Sequence, residues 1–231
     1  DTKNSGPALA GGREIKTPFG TFYGPNITQD PDHGLGRWTE ADFLRAMRDG
    51  VRPDGAYYFP VFPYPSFTKI AEPDLKDLWA YLKTREPVAR PSHPHEVTFP
   101  FGLRFLQWGW RWLAFVPGPW RDDPRAAPEV NRGGYLVEAL GHCGECHTPR
   151  NLLGIPDRAM AYAGTIAGPE GGRIPNVTPD AETGTGKWSE SDLLDLLQQG
   201  MTPEGDFVGS TMAEIVRNST SKIGDADRRA M

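Results

Sequence analysis

Apolar residues recur at helical spacing after two closely similar starts, one early in the chain and one late. Each start has a hydroxyl residue followed three positions later by an acid, as in Thr39-Glu-Ala-Asp42 and Ser189-Glu-Ser-Asp192. A hydroxyl N-cap with acids in the first turn favours a helix start, and Gly50 and Gly200 stand where a left-handed C-cap is wanted. We therefore predict two helices that end at these glycines, each preceded by a Gly-rich loop.

The two helices belong to a longer internal repeat at an offset of 150 residues. An ungapped alignment of Pro25–Gly55 with Pro175–Gly205 pairs thirteen identical residues among thirty-one. Further along the chain, Thr68–Leu78 matches Ser221–Met231. Because a shared period means a shared fold unit, the repeat predicts two copies of one domain.

The composition favours a loop-rich but packed protein. The 231 residues include 27 Gly and 23 Pro, and also 7 Trp and 11 Phe. The net charge of −5 argues against nucleic-acid binding, which depends on Lys and Arg neutralising phosphates. The longest apolar stretch, Phe105–Trp120, contains Gln107, Arg111 and two prolines, so no run is long enough to span a bilayer.

The candidate chemistry lies in Cys143-Gly-Glu-Cys146-His147, which reads C-x-x-C-H. This spacing is the attachment signature of a c-type haem. Two thiols at this distance can reach the two vinyl groups on one edge of a haem, and the following histidine then lies beneath the iron as a ligand. We predict thioether bonds from Cys143 and Cys146 and iron binding by His147.

Three other interpretations of the cysteine pair remain open at this point. A redox dithiol requires a strand before the motif, whereas an apparent helix, roughly Asn131 to Leu140, precedes it. A zinc site requires two more ligands at comparable spacing. A structural disulfide gives no reason for His147.

The first copy has no cysteine pair within the chain. The motif precedes Pro175 by 28 residues, but only 24 residues precede Pro25, so a matching motif would fall upstream of residue 1. The first copy also completes its last helix, through Leu82, whereas the second stops at Met231. We therefore expect the sequence to be truncated at both ends. The alternative is a natural one-haem protein with a degenerate first domain.

A low-spin electron-transfer haem needs a sixth ligand, usually a methionine. We predict that Met212 is this ligand, on a loop beyond the repeated helix, because the order of motif, helix, loop, methionine and final helix is that of a class I cytochrome c. Met201 and Met160 are rivals, and a lone methionine is also a common core filler.

In the first copy Phe62 occupies the position that matches Met212. Phenylalanine cannot bind iron, so a first haem would have an open sixth site or another ligand. Met47 falls in the middle of a predicted helix. His33, His93 and His95 are possible ligands, although surface polarity explains each of them more simply.

The chain resembles the multihaem cytochrome c subunits of periplasmic alcohol and aldehyde dehydrogenases and related diheme cytochromes c. The similarity runs over essentially the whole chain. In such relatives a C-x-x-C-H directly precedes the position of residue 1, and many carry Met where this chain has Phe62. The matching stretches are Thr17–Thr28, Phe62–Phe67, Gly141–Asn151 and Ile174–Asp180.

The resemblance implies further roles around the haem. A proline carbonyl, from Pro25 or Pro175, would accept a hydrogen bond from the proximal histidine and raise its basicity. Trp38 and Trp188 could donate to haem propionates or be ordinary buried aromatics. Arg150 could pair with a propionate or remain solvated. The residues expected around the haem are Pro25, Asn26, Trp38, Phe62, Arg150, Pro175, Asn176 and Trp188.

The predicted fold is mainly α, with two tandem, loop-rich cytochrome c-like domains whose cores centre on haem. The first domain covers residues 1–84 and lacks its N-terminal helix and motif, and the second covers 131–231 with a truncated final helix. A Pro- and Trp-rich connector, 85–130, joins them. We favour packing as its role over docking to a partner subunit or a membrane surface.

The resemblance implies a periplasmic carrier that passes electrons from a dehydrogenase subunit to an oxidase, a quinone site or a soluble cytochrome. The expected cofactor is haem c, one at Cys143 and Cys146, with a second in the first domain if the upstream motif exists. Membrane association through a segment outside this sequence is possible. The rival function is a haem enzyme, peroxidase-like or sulfur-oxidising, with an open iron site near Phe62. A redox or gas sensor is a third class.

Overall fold

The computed structural model describes residues 6–166, 168 and 172–231 and is rich in both helices and loops. Residues 1–5 of the predicted first domain, and 167 and 169–171 of the second, lie outside the described residues. In chain order the α-helices are α1 Glu40–Asp49, α2 Tyr64–Phe67, α3 Glu72–Lys83, α4 Phe105–Ala114, α5 Pro128–Tyr135, α6 Gly144–His147, α7 Glu190–Gln199, α8 Ser210–Asn218 and α9 Asp225–Ala230.

A small antiparallel sheet lies in the N-terminal half of the chain. Its strands are β1 Glu14–Thr17, β2 Gly20–Tyr23 and β3 Glu96–Val97, and β2 is the central strand. Ile15 pairs with Phe22, and Thr21 with Glu96. The sheet thus brings the beginning of the predicted connector onto the first copy of the repeat.

The helix ends predicted from the sequence are confirmed at α1 and α7. The hydroxyl of Thr39 accepts the backbone N–H of Asp42, and the Asp42 carboxylate accepts the N–H of Thr39 in return. Ser189 and Asp192 make the same capping box at α7. Both helices end at a glycine in the left-handed region, Gly50 and Gly200.

The helix expected at about Asn131 to Leu140 is present, with an unexpected second half. An α-helix, α5, begins at Pro128 and ends at Tyr135, and a π-helical turn continues it over Leu136–Leu140. The wider turn closes with the N–H of Gly141 donating to the carbonyl of Leu136 at 2.6 Å. Turns of this kind are frequent at functional sites, and this one leads directly into the C-x-x-C-H motif.

Within the described residues, the chain divides into two compact units. The first unit comprises residues 6–120 and 152–155 together with 168 and 172, and the second comprises 121–151, 156–166 and 173–231. Residues 85–120 of the predicted connector therefore group with the first unit. The boundaries predicted at residues 84 and 130 stay a prediction.

The first unit has a well-filled aromatic core. The rings of Phe43 on α1 and Trp79 on α3 stack at 5.1 Å, and Tyr64 and Leu75 are fully buried. One face of α4 packs on this unit: the Trp110 ring lies 6.4 Å from the ring of Tyr64, and the Arg111 guanidinium lies 4.5 Å over the ring of Tyr57. The opposite face of α4 is exposed.

The second unit is held by the crossing of α5 and α9. Gly133 lies so close to α9 that an added Cβ would be 1.7 Å from the carbonyl oxygen of Ala230. The neighbouring Arg132 pairs at 2.6 Å with Asp227, which lies about one turn before Ala230 on α9. The bare backbone of Gly133 therefore sets the distance between the first and last helices of this unit.

Alanine substitutions at two helical glycines should have opposite effects on stability. We expect Gly133→Ala to destabilise the protein by about 1–3 kcal/mol, because the new methyl group forces α5 and α9 apart. Gly109→Ala on α4 is the matched control, since its Cβ would meet no described atom within 4 Å. That change should stabilise by about 0.5–1 kcal/mol through helix propensity alone. Calorimetric unfolding measures both, and an unchanged stability in Gly133→Ala would contradict the close crossing.

Candidate haem site

The C-x-x-C-H motif folds as a short helix that follows the π-turn in the chain. Cys143 is the N-cap residue of α6 and His147 its last residue. The N–H of Cys143 donates to the carbonyl of Val137 at 3.0 Å. His142, directly before the motif, has a φ of 41°, a conformation that is uncommon for a non-glycine residue. The strained residue redirects the chain so that both cysteines follow within a single turn.

The ring of His147 is oriented by a hydrogen bond to the chain 28 residues later. Its Nδ1 lies 2.9 Å from the carbonyl oxygen of Pro175. A carbonyl oxygen only accepts, so Nδ1 carries the proton and Nε2 keeps its lone pair for a metal. This is the contact that the resemblance implied for Pro175. Iron binding by His147 stays a prediction.

Gly164 contacts both the backbone of His147 and the backbone of Pro175. Its N–H donates to the carbonyl of His147 at 2.7 Å, and its φ is 77°. An added Cβ would lie 2.6 Å from the carbonyl carbon of Pro175. Only glycine therefore lets the chain that carries Pro175 approach His147 this closely.

Tyr162, which no pattern in the sequence singled out, supports the motif through two hydrogen bonds. Its hydroxyl donates to the carboxylate of Glu138 in the π-turn, and its N–H donates to the hydroxyl of Thr148 at 3.1 Å. Burial, and then the bond to Glu138, raise the pKa of Tyr162. The phenol therefore stays protonated and keeps donating.

A second offset in the repeat could have revealed Tyr162. Leu9 and Tyr162 both have a φ of 63°, and their carbonyls accept the N–H groups of Ile27 and Val177 respectively. The two residues are 153 positions apart rather than 150, and each is followed by Ala-Gly. An ungapped comparison at one offset does not align these short segments.

The chemistry of the cysteines fits covalent haem attachment. Both are half-buried thiols that are not joined in a disulfide. Burial raises the pKa of Cys143 to about 11, so this thiol is a poor nucleophile at neutral pH. A catalytic dithiol requires the opposite shift. The donor set of two thiols and one oriented imidazole is what a haem with two vinyl groups requires.

Other residues predicted around this site have protein partners in the structure. Arg150 pairs with the Glu145 carboxylate and also donates to the Glu145 backbone oxygen at 3.0 Å. Asn176 accepts the N–H of Thr178 at 2.8 Å and donates to the hydroxyl of Thr183 at 2.9 Å. The indole of Trp188 is half-buried. Their roles toward a haem stay predictions.

The sequence predicted Met212 on a loop, but the structure places it in a helix. It lies in the first turn of α8, two residues after Ser210, and is half-buried. Ser210 has a φ of 52°, so the chain turns sharply as it enters the helix. Farther along α8, Glu214 and Val216 are buried, and this buried face holds the helix on the second unit. Iron binding by Met212 stays a prediction.

In the first unit, the matching loop is stabilised without a cysteine motif. Asn26 is buried, accepts the N–H of Thr28 at 2.9 Å, and donates to the carbonyls of Val88 and Arg90 at 2.7 and 3.0 Å. Pro25 beside it is exposed, and Trp38 is half-buried. The loop is thereby tied to the segment that follows α3.

Phe62 and two of the candidate histidines lie in aromatic clusters of the first unit. The Phe62 ring lies 4.9 Å from the ring of Tyr58 and 5.5 Å from that of Phe67. The His93 ring lies 4.9 Å from that of Tyr23, and His95 Nδ1 accepts the N–H of Tyr23 at 3.2 Å. Packing accounts for each of these contacts.

Comparison with known proteins gives relatives along almost the whole chain, although no protein-family model matches it. A diheme cytochrome c-type protein of Cereibacter sphaeroides is 48% identical over 224 residues, which are 96% of this chain and 73% of that protein. The chain belongs to the diheme c-type cytochromes. As a member of this family the cytochrome carries covalently bound haem c.

Two longer relatives are subunits of dehydrogenases. The cytochrome c subunit of the quinone-type alcohol dehydrogenase of Gluconobacter oxydans is 40% identical over 234 residues, 97% of this chain and 48% of that subunit. The fructose dehydrogenase cytochrome subunit of Gluconobacter japonicus is 40% identical over 228 residues, with shares of 98% and 46%. The chain thus spans just under half of these two relatives. The names of these relatives support an electron-transfer role for the chain and give no support to the alternative of a haem enzyme.

Within the described part of the chain, no helix combines the length and the apolar character needed to cross a membrane.

Gly164→Ala should weaken the hydrogen bond between His147 and Pro175. The added methyl group displaces the Pro175 segment, the imidazole becomes less basic, and ferric haem loses stabilisation. We expect the reduction potential to rise, by about 59 mV for each tenfold change in relative ferric affinity. Spectroelectrochemistry measures this shift.

The matched control is Gly172→Ala, whose Cβ would meet no described atom within 4 Å. A potential that moves equally in both variants, or in neither, would contradict the role of Gly164.

Proposed function

We propose that this cytochrome transfers electrons in the periplasm, from a dehydrogenase subunit to a downstream acceptor such as an oxidase, a quinone site or a soluble cytochrome. The observation that carries the proposal is the oriented imidazole of His147, which directly follows the two thiols of Cys143 and Cys146 in one short helix. Curated relatives that are cytochrome subunits of alcohol, fructose and gluconate dehydrogenases support the donor. The acidic net charge of −5 favours a basic docking face on at least one partner.

The residues of the second unit hold a haem rather than act on a substrate. Cys143 and Cys146 would form the thioether bonds to a haem, and His147, through Nε2, and Met212 would be the two protein ligands of its iron. The iron of bound haem c supplies one-electron chemistry. The hydrogen bond to Pro175 keeps the imidazole in one tautomer and orientation in both oxidation states.

The two similar units in one chain indicate two haems, between which an electron could pass. The two units share a capping box, a left-handed helix end and a loop tied by an asparagine. We propose that both are cytochrome c domains, and that the first holds a second haem wherever a C-x-x-C-H precedes it. Phe62 then leaves the sixth ligand of that haem to another residue.

Replacement of Met212 should change the spin state of the haem at Cys143 and Cys146. In Met212→Leu the iron loses its sulfur ligand, so we expect a high-spin haem that binds carbon monoxide, and a lower potential. Met201→Leu is the matched control, because it removes the rival sulfur from the same unit. Absorption and magnetic circular dichroism spectra distinguish them. Carbon monoxide binding in Met201→Leu but not in Met212→Leu would reassign the ligand.

The proposed electron donor can be tested directly. Catalytic subunits of alcohol, fructose and gluconate dehydrogenases, each supplied with its substrate, are mixed with the oxidised haem-loaded chain in a stopped-flow spectrometer. We expect at least one of them to reduce the haem rapidly, with a rate that falls as ionic strength rises. Absence of reduction by all three, with an unaltered spectrum of the haem, would contradict a dehydrogenase donor of these classes.

A further inference from the structure

A phenol and a carboxylate that are bonded to each other lie beside the C-x-x-C-H motif. The hydroxyl of Tyr162 donates to Oε1 of Glu138, although the two residues are 24 positions apart. Both side chains are half-buried. The bond that orients His147 is accepted by a neutral backbone carbonyl, that of Pro175. Glu138 therefore brings a negative charge to a motif whose histidine is held by a neutral group.

The phenol contacts the motif between its two cysteines. A Cβ added to Gly144 would lie 3.4 Å from the hydroxyl oxygen of Tyr162. The N–H of Tyr162 also donates, at 3.1 Å, to the buried hydroxyl residue that follows the motif, Thr148. The phenol is thus held against the backbone that joins Cys143 to Cys146.

The sulfur of Cys143 lies over the end of the π-turn that contains Glu138. This sulfur is 3.2 Å from the point that a Cβ on Gly141 would occupy, and the N–H of Cys143 donates to the carbonyl of Val137 at 3.0 Å. Burial raises the pKa of Cys143, and charge on Cys146 and on Glu138 raises it further. The field of the Glu138 carboxylate therefore reaches one of the two sulfurs that would carry a haem.

The backbone turn at Tyr162 does not require a phenol. Leu9, its counterpart in the first unit, has the same φ of 63°. The carbonyl of Leu9 accepts the N–H of Ile27 at 2.9 Å, and that of Tyr162 accepts the N–H of Val177 at 3.0 Å. A leucine side chain has no hydrogen-bonding group. The hydroxyl of Tyr162 therefore serves its partner Glu138 rather than the fold of the turn.

The two groups act on a nearby haem with opposite sign. A carboxylate favours the ferric state, because ferric iron carries one more positive charge than ferrous iron and is attracted more strongly. A hydrogen bond donated to a carboxylate favours its charged form, and the positive end of the O–H dipole offsets part of that charge. The carboxylate alone lowers the reduction potential, and the phenol limits how far.

We propose that Glu138 and Tyr162 set the reduction potential of the haem attached at Cys143 and Cys146. The carboxylate lowers this potential, and the phenol holds the carboxylate in place and moderates its charge. The inference rests on the proposed function only in that a haem is attached to these two cysteines. Because Leu9 stands at the matching position, a haem in the first unit would lack the phenol.

The test measures the reduction potential of the haem-loaded chain by spectroelectrochemistry, in mildly alkaline buffer that keeps the carboxylate charged. Glu138→Gln, which keeps the size and removes the charge, should reduce the relative affinity for ferric iron about threefold and so raise the potential by about 28 mV. Tyr162→Phe, which removes only the hydroxyl, should lower the potential by about 18 mV, the equivalent of about twofold. In the double variant the loss of the hydroxyl should add nothing.

Glu129→Gln is the matched control, because it removes an exposed carboxylate from α5 of the same unit. Its potential should equal that of the unaltered chain. Intact mass should show the same haem content in every variant, and absorption spectra the same spin state. These two measurements verify that attachment and axial ligands are unchanged.

A purely structural role for the pair predicts a different result. Loosening of the motif helix would shift the potential in the same direction in Glu138→Gln and Tyr162→Phe. Shifts of the same sign, or an unchanged potential in either single variant, would overturn the proposal. No dehydrogenase takes part in the measurement. Failure of the pair to set the potential and failure of dehydrogenases to reduce the haem are therefore separate results.

Discussion

The hydrogen bond from His147 Nδ1 to the carbonyl of Pro175 is the interaction on which the second unit depends. It joins the C-x-x-C-H helix to the loop that leads into α7, although 28 residues separate the two partners. It also determines which imidazole nitrogen can bind a metal. Gly164 and Tyr162 serve the same contact, the first by allowing the backbones to approach and the second by supporting the motif helix from Glu138.

Oxidation and reduction of a haem change the charge on the iron, and a carrier works best when little else moves. The geometry around His147 suits this requirement, because its orientation comes from backbone carbonyl and amide groups rather than from mobile side chains. The charged side chains of Arg150 and Glu145, which flank the motif's histidine in sequence, form an ion pair with each other. The motif is thus held by neutral dipoles, with its ion pair at the edge.

The repeat shows how one fold unit can be adapted by what it packs against. In both units a left-handed glycine ends the helix and a short bridge follows, but the side chain nearest the glycine is Tyr64 in one and Val208 in the other. The first unit completes its surface with a segment of the same chain, tied by Arg111 and Trp120.

The sequence by itself determined the local features: the two capping boxes, the glycine helix ends, the repeat and the C-x-x-C-H motif. The capping boxes, the helix ends and the motif each depend on residues within a few positions of one another, so local patterns are sufficient to predict them. The repeat is visible because its two copies align directly, at an offset of 150 residues. Tertiary structure decided that Met212 lies in a helix, that Leu136–Leu140 forms a π-turn and that Tyr162 supports the motif. The bond from Tyr162 to Glu138 joins residues 24 positions apart, a contact that no short-range pattern records.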